Sequence, residues 1–431
     1  MARQAVGKGL VLSPIRPGER AERAEKDPQA SRRQELNSAE ARNCGHGYCF
    51  RWSARILARN LRGIARRRSE SGCEPLAARD SCESSSWQEL EPEERSVYSI
   101  PDYWPKWARR HFWMPLSADG SAYEVAHGAA YACTFDDAVC LDDGRLIAVA
   151  PSGAVRGWVV DQYNGRGLSS GEVAQGKELL AAARRQDRLI VPLGIGDTTN
   201  YYHWTYQALS RVHLARRYLG AERCVFHVGP TRFPYVIGSM AALGIDERDI
   251  VSGGPVRGKV VYTHTPSMFP PSWVTRFLRE VGDRVCEGVS LAPRRTYYHR
   301  GGAQRKLAND GQVSELVVRY GFGICRPDEM SFEEQVRTAR ASTVLLGVHG
   351  ACFTNLAYST PGSTTVELMP RNMPQPYYML ISRDLGLHHN VQFGKEPRVR
   401  NLLGKGPFYD YSADLVADLK GLERNLERLG E

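Results

Sequence analysis

Three short stretches of this chain combine residue types and spacings suited to chemistry. In the first, an apolar run at 344–346 stops at Gly347, His349 follows two residues later, and Gly350 and Ala351 are small. A glycine at a strand exit permits a turn closed to other residues, and small residues at the next helix start let an anion approach its free N–H groups. Such a corner is either a phosphate cradle or a plain packing turn. In the second, Arg300 with Gly301 and Gly302, then Arg305 and Lys306, follow a strand-like run at 296–299. Guanidinium and ammonium groups beside free helix N–H groups hold a diphosphate and offset charge on a leaving group. The alternative is solvated surface cations. In the third, NYYHW at 200–204 opens a helix directly after the turn GIGDTTN. A histidine such as His203 at this edge is either a general base near neutral pH or a structural helix residue. Asp197, just before it, is as well suited to capping the helix. Glu367 stands at a further strand end, where a carboxylate can accept from ribose hydroxyls.

These residues need strands that end at a common edge, and the sequence supplies them. From Leu189 the pattern alternates: strand 189–193, helix 201–218, strand 224–228, helix 232–243, strand 259–264, then a helix over 273–288. It restarts with strand 296–299, helix 310–320 and strand 322–325, and Ser331 with Glu334 makes a capping box for the next helix. Strand 344–346, a helix from Ala351, strand 364–368, helix 376–385 and strand 389–393 complete it. Strands alternating with helices predict an α/β protein with parallel sheets, in two successive units. In such sheets ligands bind outside the carboxyl ends of the strands. Before this region, 98–160 is aromatic and turn-rich and predicts a small β-rich region. The domain reading is a disordered basic tail at 1–95, a first domain at 96–290, a second at 291–400 and a C-terminal helix within 401–431, where leucines recur at 4,3,4,3 spacing.

Composition limits the partners. Of 57 Lys+Arg and 48 Asp+Glu, residues 1–68 hold 16 and 6, so the net charge of +9 belongs to the tail and the body is near neutral. The basic balance therefore gives no sign of a nucleic-acid groove in the folded part. At 50–68, Phe50, Ala54, Leu57, Leu61 and Ile64 recur at helical spacing among arginines, which makes either a basic amphipathic helix for an anionic membrane surface or a weakly helical solvated tail. No apolar run of about 18 residues is present, and the extreme N-terminus has too short an apolar core for a secretory signal, so the expected location is cytoplasmic, with peripheral membrane contact through 50–68. Ten scattered cysteines fit reduced thiols, and a zinc set of Cys44, His46, Cys49 and Cys73 matches no common spacing. There is no Walker loop, no HExxH, no nucleophile elbow and no Asp-x-Asp metal pair. No G-x-G-x-x-G follows any strand, which argues against a nicotinamide-dependent enzyme.

Four blocks together resemble glycosyltransferase family 61: NYYHWTYQALSR at 200–211, YYHRGGAQRKLAND at 297–310, YGFGICRPDEMSFEEQVRTARAS at 320–342, and GVHGACFTNLAYSTPGSTTVELMP at 347–370. The resemblance covers roughly 189–387. It implies a GT-B fold, a pair of Rossmann-like domains facing a cleft, with a nucleotide-sugar, of UDP type, in the second and a glycan acceptor in the first. It implies inversion at the anomeric carbon, a place in polysaccharide biosynthesis, and no obligatory metal or other cofactor. Carried over by position, Arg300 is a catalytic cation, Arg305, Lys306, Asn309, Gly347, His349, Gly350, Asn355 and Glu367 are donor-site residues, and His203 is the cleft residue of the first half. Asp197, Asn200, Trp204 and Gln207 fall on the acceptor side. The chain departs from the family at Gln207, where an acid is common, at Ser210 for proline, at Cys352 for glycine and at Asp310 for glutamate. An amide cannot be a base, so His203 is the candidate proton acceptor, and the alternative is an inactive sugar- or nucleotide-binding member.

Overall fold

Strands that stop at one edge, and helices that start there, place the candidate residues. The computed structural model describes residues 87–109, 116–149, 155–158, 176–195, 199–230, 232–264, 266, 268–301, 305–371, 374–395 and 414–429. The helix expected at 50–68, the zinc set and Asp197 lie outside the described residues. Within them no helix is long and apolar enough to cross a membrane.

The first strands are β1 (Gln88–Glu91), β2 (Glu94–Ser99), β3 (Ala122–His127), β4 (Ala130–Cys140), β5 (Leu146–Val149) and β6 (Val155–Trp158). Two of them begin inside the stretch assigned to the tail by sequence. After helix α1 (Gly176–Ala182) come β7 (Arg184–Arg185) and β8 (Leu189–Pro192). A continuous helix follows, made of α2 (Tyr201–His203), a π-helical turn Trp204–Leu209 and α3 (Ser210–Leu219). Then come β9 (Cys224–His227), α4 (Pro234–Ala242), β10 (Ile250–Val251) and β11 (Val256–Thr263). One mixed sheet runs β10-β9-β8-β11-β4-β5-β6, with β1 on β4 and β7 on β11. Its β10-β9-β8-β11 part is parallel, while β4 joins β11 antiparallel. The β-rich region is thus divided. β4 to β6 extend the first sheet, whereas β2 and β3 pair with each other, and the aromatic stretch they flank packs on the last helix and strand of the second sheet.

Helix α5 (Ser272–Cys286) leads to that second sheet. It buries Trp273, Val274, Phe277, Leu278, Val281 and Val285, a stripe at three- and four-residue spacing. The sheet is formed by β12 (Arg294–Tyr298), β13 (Phe322–Cys325), β14 (Ser342–Val348), β15 (Thr364–Met369) and β16 (His388–Phe393), in the order β13-β12-β14-β15-β16. All four ladders are parallel. Between strands lie α6 (Asp310–Arg319), α7 (Phe332–Ala341), a 3-10 helix Ala351–Tyr358 and α8 (Tyr377–Asp384). The Ser331–Glu334 capping box is present at the start of α7. Six of the seven residues of β14 are buried, as a central parallel strand covered on both faces requires. Helix α9 (Leu419–Arg428) inserts Leu422 and Leu426 into the core on the α6 face. On the opposite face a continuous core joins both sheets through α2 to α5, α7 and the 3-10 helix, and the compact unit Ala78–Glu431 takes in both.

Each sheet reverses its strand order once. From β8 the chain steps outward to β9 and β10, then returns to the far side of β8 for β11. From β12 it steps to β13, then returns to the far side of β12 for β14. At such a reversal the two connecting loops leave in opposite directions and open a crevice at the carboxyl ends of the strands.

Candidate functional site

The second sheet's crevice lies between the ends of β12 and β14, where Tyr298 pairs with Gly347. Arg300 follows β12 and His349 follows β14, so two stretches 49 residues apart meet: Arg300 Nη1 donates to the His349 carbonyl at 3.1 Å. Gly350 is small for a reason of space, since a β-carbon there would overlap the Arg300 guanidinium. Arg305 belongs to the same cluster. It is the one described non-glycine residue in the left-handed region, with φ 54°. Such a backbone costs about 1–3 kcal/mol and collects at ligand clamps. Burial, then the nearby Arg300 charge, push the Arg305 guanidinium down to about 10, and its Nε has no hydrogen-bond partner. Two guanidiniums held together in a partly dehydrated corner have the charge and donors to receive an anion. Cys352 shares the corner; burial raises its thiol to about 11 despite both arginines, so it stays neutral.

His349 and Glu367 are brought together, but turned inward. Glu367 is fully buried, and its Oε1 contacts His349 Nδ1 while its Oε2 meets His389 Nε2 at 2.9 Å. His349 Nε2 lies 2.8 Å from Gln375 Oε1. Burial drives the Glu367 carboxyl up, but the two imidazoles more than reverse this and hold it below the usual range. Glu367 is therefore a buried carboxylate that fixes the His349 ring, and the ribose contact read from the sequence is replaced by this pair of histidines. Asn355 is likewise fully buried and internally satisfied: it accepts from the Tyr201 hydroxyl at 2.7 Å and donates to Gln335 Oε1 at 3.0 Å. It ties elements together and has no exposed amide for a donor.

Asn309 and Lys306 hold the C-terminal segment. Asn309 donates to the Ala417 carbonyl at 3.0 Å and accepts from its N–H at 2.9 Å, while the Lys306 N–H donates to Asp414 Oδ1 at 2.7 Å. The Lys306 side chain is exposed. Gly347 packs under Tyr298 and Phe353.

The first sheet's crevice lies between β8 and β11, and the helix at 201–219 starts over it. Asn200 caps that helix by accepting from Tyr202 N–H at 2.9 Å. His203 and Gln207 are both buried, with His203 Nδ1 2.6 Å from Gln207 Oε1. Gln207 Nε2 donates to the Pro266 carbonyl beyond β11 at 3.1 Å. One turn on, the fully buried Arg211 reaches Thr263 Oγ1 and the Gly194 carbonyl, both at 3.3 Å. His203, Gln207 and Arg211 thus form one polar stripe along the crevice. Trp204 points the other way: it is fully buried and donates to Ser239 Oγ at 2.9 Å, which removes it from any acceptor surface. The π-helical turn explains Ser210. A π turn leaves carbonyls without their usual helical N–H, and the Ser210 hydroxyl serves those of Tyr206 (2.9 Å) and Gln207 (3.2 Å).

A chain of rings connects the two crevices. His203 meets Tyr202 at 5.6 Å between centroids, Tyr202 meets Tyr378 at 6.0 Å, and Tyr378 meets His349 at 5.4 Å. The Tyr378 hydroxyl donates to the Gly350 carbonyl at 2.7 Å. Sequence reasoning missed Tyr378, Gln375 and His389. Only the parallel register of β16 on β15, which pairs Thr365 with His389, brings the last beside Glu367.

A match to a known family falls on this part of the chain. The model of the family described as Glycosyltransferase 61 matches residues 201–366. The chain is 30% identical over 104 residues to a xylan glycosyltransferase, MUCI21, of Arabidopsis thaliana, covering 23% of this chain and 21% of that protein. It is 33% identical over 106 residues to a beta-1,2-xylosyltransferase of the same plant, covering 22% and 20%. To the beta-1,2-xylosyltransferase RCN11 of Oryza sativa subsp. japonica it is 26% identical over 101 residues, covering 22% and 19%. The matches span about a fifth of the length of these relatives. Residues 201–366, the stretch that supplies His203 at one crevice and Arg300, Arg305 and His349 at the other, are thus the part of the chain that is similar to the glycosyltransferase 61 family.

Proposed function

We propose that the protein is a glycosyltransferase that moves a sugar from a nucleotide-sugar of UDP type to a hydroxyl of a glycan, working as a two-lobed GT-B enzyme. The observation that carries the reading is the strained, partly dehydrated Arg305 guanidinium beside Arg300 at the β12/β14 strand-order reversal. In this reading the donor diphosphate lies over Arg300, Arg305 and the corner at Gly350. The acceptor enters from the β8/β11 side. His203 takes the proton from the acceptor hydroxyl as its oxygen bonds to C1, and the bond from C1 to the diphosphate oxygen breaks. The electron pair leaves with the diphosphate, where the two guanidiniums stabilise it. Attack from the face opposite the leaving group inverts the anomeric centre. Two fixed cations meet the charge demand of the leaving group, so the reading calls for no obligatory metal. The relatives named for xylosyl transfer make a pentose such as xylose the first sugar to test.

The experiment is UDP release from a panel of UDP-sugars with xylan and mannan oligosaccharides, with and without EDTA. Release with one donor, insensitive to EDTA and lost in Arg300→Ala, is expected. UDP binding with no turnover across the panel would support a binding protein instead.

A further inference from the structure

We infer that Gln207 is a positioning residue for His203: it fixes the ring as the Nδ1–H tautomer and so puts the basic lone pair on Nε2. This rests on the reading of His203 as proton acceptor for its catalytic meaning, but the tautomer itself follows from the geometry alone.

Gln207 has one acceptor atom and one donor atom, and their assignment follows from their partners. The Pro266 carbonyl can only accept, so the atom 3.1 Å from it must be the NH₂ group. The atom 2.6 Å from His203 Nδ1 is then the amide oxygen, which also can only accept. Nδ1 must therefore carry the hydrogen. In the neutral ring the lone pair is left on Nε2. Both side chains are buried, at 4% and 1% exposure, so water does not compete for these bonds. Pro266 lies just past β11, at the carboxyl edge where the crevice opens; the amide thus joins the helix carrying His203 to the strand end across from it.

An amide at this position does part of what a carboxylate does. Either group accepts from Nδ1–H and sets the tautomer. Only a carboxylate would also stabilise the imidazolium, because an opposite charge within hydrogen-bond distance favours the charged form. Among the described residues, the titratable and charged groups along this face of the helix include Tyr202, whose ring stands edge-on to His203 at 5.6 Å, Arg211 one turn beyond Gln207, and His264 after β11. Gln207 therefore orients the base without loading it with a counter-ion.

The test uses the full chain with ¹⁵N-labelled histidine. The His203 ring signals, assigned by their loss in His203→Gln, should show a protonated Nδ1 and a bare Nε2 near neutral pH. Gln207→Glu should keep that tautomer and move the titration of the ring to higher pH, and the acid limb of the rate profile should move with it. Gln207→Leu should lose the single tautomer and lower kcat at least tenfold, with the donor KM and UDP stabilisation of the fold unchanged. A protonated Nε2 in the wild-type ring, or Gln207→Leu with unaltered ring signals and rate profile, would overturn the inference. Failure of the wild-type protein to bind or turn over any nucleotide-sugar would instead remove the catalytic reading, and the ring signals would still decide the tautomer.

Discussion

The Tyr201 hydroxyl donates to Asn355 Oδ1 at 2.7 Å, and this bond spans 154 residues of sequence to join the helix that carries His203 to the helix that follows the Gly350 corner. Asn355 completes the link by donating to Gln335 on α7. The two crevices are thus held in register by a neutral, buried hydrogen-bond chain. Asn355→Ala removes the acceptor of the Tyr201 hydroxyl and the donor to Gln335 Oε1, two buried hydrogen bonds whose loss costs about 0.5–1.5 kcal/mol each. Urea unfolding should show that loss, and turnover should fall further than stability alone explains. Tyr201→Phe should cost less, because the ring stays packed.

Gly350→Ala tests the anion corner by crowding. A β-carbon there displaces the Arg300 guanidinium, the movable end of a long side chain. One charge-assisted hydrogen bond is worth about 1.5–3 kcal/mol, so UDP affinity should drop roughly 10- to 100-fold. The melting temperature without ligand should hardly change. Calorimetric titration with UDP checks both.

Glu367 carries a prediction of its own. Its carboxyl is held down by His349 and His389, so its stabilising contribution is present above the unfolded value of about 4.5 and is lost as pH falls through the folded one. Glu367→Gln should destabilise the protein at pH 7 by about 1.5–3 kcal/mol, the usual worth of a hydrogen bond to a charged group. It should also flatten the acid limb of the stability curve. Thermal unfolding from pH 7 to 4 reads both effects.

His264 gives the opposite kind of acid sensitivity. Burial, with Arg211 and His127 adding to it, pushes its imidazole down to about 4. The folded protein keeps the ring neutral while the unfolded chain protonates it below about 6.5, so stability falls as pH drops from 6.5 towards 4. At pH 5 the loss is about 2 kcal/mol, from 1.36 kcal/mol per pH unit. His264→Gln should lose that part of the dependence, measured as the difference in unfolding free energy between pH 7 and pH 5.

Periodicity made the alternating elements legible because strand and helix spacing are local. The strand at 322–325 and the capping box at Ser331 and Glu334 are where the sequence puts them. Residue types at strand ends also led to the Arg300, Arg305 and Gly350 corner. What a local pattern cannot carry is strand order and side-chain direction. Trp204 and His203 are adjacent, yet one donates to Ser239 in the core and the other pairs with Gln207 along the crevice, because successive residues on a helix point about 100° apart. Glu367 looked like a ribose acceptor because its strand end was visible, while the histidines that bury it depend on the register of β16. Asn309 stands where the family resemblance implies a donor contact, but its partner, Ala417, lies 108 residues away. The β-rich region looks like one piece in the sequence because nothing local says that β2 and β3 pack with one sheet and β4 to β6 pair with the other.

The central claim is that Arg300 and Arg305 hold the diphosphate of a nucleotide-sugar. It is tested most directly by titrating UDP and uridine, in parallel, into the wild-type protein and Arg305→Ala. The account predicts that UDP binds the wild type much more tightly than uridine, and that Arg305→Ala removes most of that difference without changing the fold. Equal affinity for UDP and uridine in the wild type, or UDP binding unchanged in Arg305→Ala, would contradict it.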